Sequence, residues 1–453
     1  TVEFGTVGSW LVDVVNILTG NLDRAGGAMF PLSPVAPAPR GRRRGRGFRT
    51  GRWHSRVSGR PEVLSELPTA VLAEEIETPG EGQIKAMITI AGNPVLSAPD
   101  GDRLDRALAG VGFMVSIDPY LNETTRHADV ILPPPPPSRS PHFDFALNAL
   151  AVRNNARYSP PVLPLKTGPD EAEILARIAL VLYGVGVGAD PALVDEQVIA
   201  TTLAKETADA ASPVTGRAVD ELTAMLEDGP GYERRLDMML RLGAYGDAFG
   251  ARTEGLTLKR LKAAPHGIDL GPLQSRLPDL LRTASGLIEL APPPLVTDAA
   301  RLRDSLEHRT EGFVLIGRRH LRSNNSWMHN LPALAGGTNR CTLWMHPDDA
   351  AELGVSDTAR VKGPAGELVV PVEITEGIRR GVLSLPHGWG HDREGTGQAL
   401  AARNPGVNVN QLNDGSVLDP LSGNAVLNGI PVLVEPVLVE DVVVEPAGMP
   451  VGS

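Results

Sequence analysis

Short apolar runs that alternate with helical stretches, each emptying into a polar or glycine-bearing turn, constrain this chain most. Residues 84–91 read as a buried strand, and Gly92-Asn93-Pro94 turns out of it. A helix is predicted over residues 101–110, a second strand over 113–117 ending at Asp118, and a third over 128–133, with Asp129 near its start. Such alternation predicts a parallel, doubly wound α/β sheet. Ligands of these sheets sit at the carboxyl ends of strands, here Gly92, Asn93, Pro94, Asp118 and the loop carrying Thr124 and Thr125. An acidic side chain there can accept hydrogen bonds from a guanine edge or a ribose, and nearby hydroxyls can hold phosphate.

A second cluster follows the apolar run Phe313-Val314-Leu315-Ile316. The segment Gly317-Arg318-Arg319-His320-Leu321-Arg322-Ser323-Asn324-Asn325-Ser326-Trp327-Met328-His329-Asn330 packs arginines, amides and hydroxyls directly behind a core strand. Burying them is costly unless something satisfies them, and a large phosphate-bearing ligand would do so. On these residues alone a solvated loop accounts for the segment equally well.

The length of 453 residues allows two or three domains. A net charge of −11 and a pI near 5.5 argue against nucleic acid as partner. No run of about eighteen apolar residues occurs, so no membrane span is predicted, and a cytoplasmic setting is expected. The single cysteine, Cys341, rules out an internal disulfide, a cysteine-rich zinc site or an iron-sulfur cluster within these residues, and reads as a small buried apolar group. Residues 31–61, with Arg40, Arg42, Arg43, Arg44, Arg46, Arg49 and Arg52, cannot build a core and read as a solvated insertion. No Gly-x-Gly-x-x-Gly opens a helix after a strand, which disfavours a nicotinamide-linked dehydrogenase.

Other segments read as scaffold. Leu11, Val14, Val15 and Leu18 lie at helical spacing before Gly20. Residues 167–184 predict an amphipathic helix whose buried stripe is Ile174, Leu175, Ile178, Val181 and Leu182. Further helices fill 185–285. Residues 291–310, opening on Ala291-Pro292-Pro293-Pro294, are the expected linker between a domain at 1–290 and a strand-rich one at 311–453. Within the latter a hairpin turns at residues 363–366. His346-Pro347-Asp348-Asp349 is a helix start rather than a metal site. The two histidines of Pro386-His387-Gly388-Trp389-Gly390-His391 are weak evidence for metal without a third ligand.

Taken together, residues 317–330, the His346-Pro347-Asp348-Asp349 and His387-Gly388-Trp389 stretches, and Asn408-Val409-Asn410-Gln411-Leu412 resemble the C-terminal dinucleotide-binding domain of the molybdopterin oxidoreductases, of formate dehydrogenase and nitrate reductase type. The segment from Asp118 through Thr124 and Thr125 to Ala128-Asp129-Val130-Ile131-Leu132-Pro133 resembles a motif of their α/β domain. The resemblance implies a C-terminal six-stranded double-psi β-barrel, two molybdopterin guanine dinucleotides and one molybdenum or tungsten, with two-electron chemistry on a small substrate. Contacts to the cofactor fall to Gly92, Asn93, Pro94, Asp118, Thr124, Thr125 and Asp129, and to Gly317, Arg318, Arg319, Leu321, Ser323, Asn324, Asn325, Ser326, Trp327 and His329. His387, Trp389, Asn410 and Asp414 complete the set, and none of them is the metal ligand. An iron-sulfur cluster and that ligand are expected in an N-terminal portion absent from this sequence, either of the same enzyme or a separate subunit, with a redox partner beyond it. Formate dehydrogenases carry an arginine where Ser33 stands, which disfavours formate. The alternative is a non-catalytic relative of the large peripheral subunit of respiratory complex I, with the fold but no molybdenum.

Overall fold

The computed structural model describes residues 1–37, 49–307 and 312–437. Arg40, Arg42, Arg43, Arg44 and Arg46 of the arginine-rich insertion lie outside the described residues. Arg52 is described and pairs with buried Glu62 while its guanidinium stacks on Trp53. Contacts divide the chain into two units, one made of residues 1–10, 49–132 and the stretch from 291 onward, the other of residues 11–48 and 133–290.

In the first unit, the apolar runs form Ala86–Ile90 (β1), Phe113–Ile117 (β2) and Val130–Ile131 (β3), a parallel sheet in the order β1-β2-β3. Its core is built by Met114 with Ile76 from helix Leu72–Glu77 (α1), Val95 from the one-turn helix Pro94–Ser97 (α2), and Leu104 and Leu108 from helix Gly101–Leu108 (α3). The strand expected to be buried throughout, β1, is covered on one face only: Ile88 and Ile90 are exposed, as is Phe113 at the start of β2. Alternation of side chains along a strand sends them away from these helices.

The same unit carries a closed barrel of Phe313–Arg318 (β4), Leu343–Met345 (β5), Thr358–Lys362 (β6), Glu367–Ile374 (β7), Val382–Pro386 (β8) and Ile430–Pro436 (β9), in the order β4-β8-β5-β7-β6-β9. Two parallel pairs, β4 with β8 and β5 with β7, are joined by antiparallel neighbours, consistent with a double-psi barrel. Leu343, Met345, Val361, Val370, Leu383 and Leu385 fill it. The parallel α/β sheet and the C-terminal barrel anticipated from sequence are thus both present. The helix starting at Pro347 is also present, with His346 accepting a hydrogen bond from the Asp348 amide and Gly354 closing it in the left-handed conformation. Residues 293–305, within the stretch expected as linker, form a helix begun by prolines, which suit its first turn.

The second unit holds helices Glu171–Leu182, Ala192–Ala208, Val219–Ala224, Gly231–Leu242 and Leu258–Lys262, with two short antiparallel strand pairs. Its cores gather Ile199, Leu203, Leu222, Met238 and Phe249 in one cluster and Leu236, Leu240, Leu258 and Leu261 in another. The stripe predicted on Glu171–Leu182 is narrower than the spacing suggested. Ile174, Ala176 and Leu180 are buried, whereas Leu175, Val181 and Leu182 are exposed. This helix packs against Ala192–Ala208, and one neighbouring helix covers only part of its circumference.

Candidate functional site

The sheet contributes its strand-end turns. After β1, Ala91 adopts a left-handed conformation (φ 53°) that swings Gly92 and Asn93 out of the strand direction. Asn93 is buried and held from both sides: its Nδ2 donates to Glu123 Oε2 at 2.7 Å, and its Oδ1 accepts from Thr124 Oγ1 at 2.7 Å. The loop behind it is capped by Asn122, whose Oδ1 accepts from the amides of Thr124 and Thr125, both at 2.9 Å. Arg126, His127 and Arg393 converge on Asp105 of α3, which ties this loop and the barrel segment around His391 to one helix.

The barrel contributes loops that leave the same edge. Because β4 and β8 are parallel with Arg318 opposite Pro386, the segments after both strands start side by side. Asn324 and Asn325 take left-handed conformations (φ 42° and 63°), which asparagine tolerates better than most side chains. Gly388 (φ 86°) lies so close that a β-carbon there would sit 2.3 Å from the Asn325 carbonyl oxygen.

Ten of the residues anticipated from sequence line a single cavity of about 390 Å³: Gly92, Asn93, Gly317, Arg318, Arg319, Asn325, Ser326, Trp327, His387 and Asn410. Strand-end and barrel clusters therefore share one cleft. Their side chains are not equally free. The guanidinium of Arg318 donates to the Ser384 and Thr342 carbonyls at 3.0 and 2.9 Å and stacks 4.0 Å over Trp344, so it is committed to the barrel. Arg319 is exposed and donates through Nη1 to Asn325 Oδ1 at 2.7 Å, which leaves its other N–H groups for a ligand. Asn410 is buried and spends its amide nitrogen on the Leu96 carbonyl at 2.6 Å, joining barrel to sheet.

The remaining anticipated residues lie off this cavity. Thr124 and Thr125 are fully buried, and their hydroxyls serve Asn93 and the Tyr120 carbonyl. Asp118 is buried and accepts from the Tyr120 amide at 2.8 Å and Asn122 Nδ2 at 3.3 Å; burial raises its pKa despite those donors. Asp129 accepts from the Met114 amide at 2.8 Å. Pro94 begins α2. Leu321 is 98% exposed, away from the cavity lining. Asn324 is exposed. Asp414 faces a separate cavity of about 200 Å³ with Arg60, Asp100 and Arg103. Ser323, His329 and Trp389 are buried beside the cleft, with the His329 and Trp389 rings stacked at 3.9 Å.

Sequence reasoning missed Glu123 and undervalued His391. Both are buried, and His391 Nδ1 lies 2.8 Å from Glu123 Oε1 while its Nε2 lies 2.9 Å from His329 Nδ1. Burial would raise the Glu123 carboxyl, but the hydrogen bonds from His391 and the Asn93 amide outweigh it and hold the pKa below the ordinary value. Burial, and next the neighbouring His391, push His329 down to about 3, so this imidazole is neutral at pH 7. His387 is lowered as well, first by burial and then by Arg319. The separation of 268 positions between Glu123 and His391 leaves no local signal. Cys341 is 1% exposed, and burial lifts its thiol to about 11.

Residues 313–431, which take in the barrel up to the start of β9 and the loops it sends to the cleft, match the family model described as "Molydopterin dinucleotide binding domain". This part of the chain is similar to that domain family. Relatives that match parts of the chain include molybdopterin-containing reductases. The arsenate respiratory reductase molybdopterin-containing subunit of Shewanella sp. (strain ANA-3) is 24% identical over 71% of this chain and 41% of its own length. The assimilatory nitrate reductase catalytic subunit of Bacillus subtilis is 38% identical over 70 residues, 15% of this chain and 10% of its own. Acetylene hydratase from Pelobacter acetylenicus shares the fold, with a TM-score of 0.54 at 17% identity, across 83% of this chain and 47% of that one. The chain thus spans less than half the length of these relatives. The cleft offers donors such a ligand can use: the free guanidinium nitrogens of Arg319, the side-chain amide nitrogen of Asn325 and the backbone at Gly92. Among the described residues no helix is long and apolar enough to cross a membrane, and no group of three or more His, Cys, Asp or Glu is placed to hold a metal.

Proposed function

We propose that this chain is the cofactor-binding part of a molybdenum or tungsten oxidoreductase carrying pyranopterin guanine dinucleotide, acting by two-electron chemistry on a small substrate. The observation that supports it is the single cleft shared by the Gly92-Asn93 turn and the barrel loops bearing Arg319, Asn325, Ser326 and His387. A volume of about 390 Å³ is in the range of ligand pockets, which run from roughly 300 to 1,000 Å³. It accommodates part of one dinucleotide; the second rests on the resemblance.

Arg319 supplies the charge-assisted contact to phosphate, Asn325 and Ser326 orient a polar ring, and the neutral His387 offers one donor and one acceptor beside them. Arg318 supports the site from beneath by fixing the end of β4. Thr124 and Thr125 contribute by shaping the loop that presents Asn93. When bound, the cofactor supplies the redox-active metal, and the protein supplies binding, orientation and a dry, shaped cavity. The metal ligand, an iron-sulfur cluster and the electron acceptor belong to residues or subunits beyond this sequence. The relatives are named for several different reductions and the structural neighbour for a hydration, so the substrate is left as a small molecule, with formate disfavoured by Ser33. The rival reading, a relative without molybdenum, gains nothing from these matches.

The test is the metal and pterin content of protein isolated from cells supplied with molybdate. Arg319→Ala combined with Asn325→Ala is expected to lose both pterin fluorescence and molybdenum while remaining folded. Unchanged molybdenum in that variant overturns the assignment.

A further inference from the structure

A continuous chain of side chains runs beside the cleft, buried at every member. Ser323 Oγ lies 2.8 Å from His329 Nε2, His329 Nδ1 lies 2.9 Å from His391 Nε2, and His391 Nδ1 lies 2.8 Å from Glu123 Oε1. The other carboxylate oxygen accepts from Asn93 Nδ2 at 2.7 Å, and Asn93 Oδ1 accepts from Thr124 Oγ1, which in turn accepts from the Val95 amide at 3.1 Å. One end lies in the arginine-rich barrel loop and the other in the turn after β1. These are the two walls of the cavity.

We propose that Glu123 is a positioning residue for this cleft, whose carboxylate dictates the direction of the hydrogen bonds along the chain and so holds both walls in register. The inference rests on the function proposed above. An ionised carboxylate only accepts, so His391 must carry a proton on Nδ1. With His391 neutral, its Nε2 accepts from Nδ1–H of His329, whose Nε2 then accepts the Ser323 hydroxyl proton. In that charge state the ring nitrogens are matched in this one order along the chain. A second proton on His391 reverses the two bonds beyond it, so His329 would carry its proton on Nε2 and donate to Ser323. Ser323 lies three residues before Ser326 and two before Asn325, both of which line the cavity, and Asn93 lines it directly. Outer partners of this kind typically change ligand retention by roughly 10- to 100-fold when removed, although they touch no ligand.

Glu123→Gln preserves shape but offers one acceptor oxygen to two donors. Either the amide nitrogen faces His391 and its tautomer reverses, or the Asn93 amide turns over and donates to the Thr124 hydroxyl instead of accepting from it. The experiment is nitrogen NMR of the chain labelled with ¹⁵N-histidine and ¹⁵N-asparagine, together with pterin content of protein purified from molybdate-supplied cells. Wild type is expected to show His391 protonated on Nδ1. Glu123→Gln is expected to shift a His391 or His329 tautomer or the Asn93 amide, and to lower pterin content by roughly tenfold or more. A bare His391 Nδ1 in the wild type overturns the proposal without any variant. So does a folded Glu123→Gln with unchanged histidine and asparagine signals and full pterin content. A wild type with ordered tautomers that shift in the variant, but no pterin, supports the carboxylate's control of the loops while overturning the proposed function.

Discussion

Gly388 stands where any larger residue would collide with Asn325: a β-carbon would lie 2.3 Å from the Asn325 carbonyl oxygen and 2.7 Å from its carbonyl carbon. The positive φ of Gly388 adds a conformational penalty for an L side chain. Gly388→Ala is therefore expected to destabilise by about 2 kcal/mol and to displace the left-handed pair Asn324-Asn325. Urea unfolding checks the first effect, and pterin content the second.

Adjacent arginines should behave oppositely. Arg318→Ala removes two hydrogen bonds from a charged group and a cation–π contact, a loss of about 2 to 3 kcal/mol. Arg319→Ala, at an exposed position, should leave stability within about 0.5 kcal/mol yet deplete pterin. Equal stability losses in the two variants would contradict the separation of scaffold from clamp.

Acid should weaken the fold through the buried histidine. His329 is depressed to about 3 from 6.5, so the unfolded chain takes up a proton first as pH falls below 6.5. Stability present at pH 7 is then lost as pH falls from 6.5 towards 3, at up to about 1.4 kcal/mol per pH unit for one proton. His387, also depressed, acts in the same direction. Glu123, held below its ordinary value, adds stability present above 4.5 that disappears as pH falls further. Denaturant titrations at pH 7 and pH 5 are expected to differ, and His329→Gln should flatten that limb.

Cys341 is expected to be inert in the folded protein. With its thiol lifted to about 11 and only 1% exposed, iodoacetamide at neutral pH should label it only after denaturation. Cys341→Ala should keep whatever molybdenum the wild type holds. Loss of metal in that variant would make the thiol a ligand.

The parts of the site that sequence made legible are those where chemistry and chain order coincide. Gly92-Asn93 and Arg319 to Trp327 follow directly on apolar strands, so a polar cluster at a strand end is visible in chain order alone. Thr124 and Thr125 show the limit of that reading. A hydroxyl turned inward to hold its loop and one turned outward to a ligand have the same sequence, and only the bonds to Asn93 and Tyr120 distinguish them. Leu321 is the converse, an apolar residue inside a polar motif that faces solvent. Pairs such as Glu123 with His391, or Asn410 with the Leu96 carbonyl, arise from tertiary packing between segments far apart in the chain. The exposed Leu175, Val181 and Leu182 reflect the same cause, since periodicity reports an apolar face but not how much of it a neighbour covers.

The barrel closes by pairing its first strand with its last, Phe313 opposite Val432. During synthesis, β4 therefore waits with one edge open until β9 has been made and released from the ribosome. Such distant pairing is slow and leaves an unpaired edge in the meantime. Whatever the cleft receives must be delivered after β9 has been translated and paired, and chaperoning in the interval has most to gain by shielding β4.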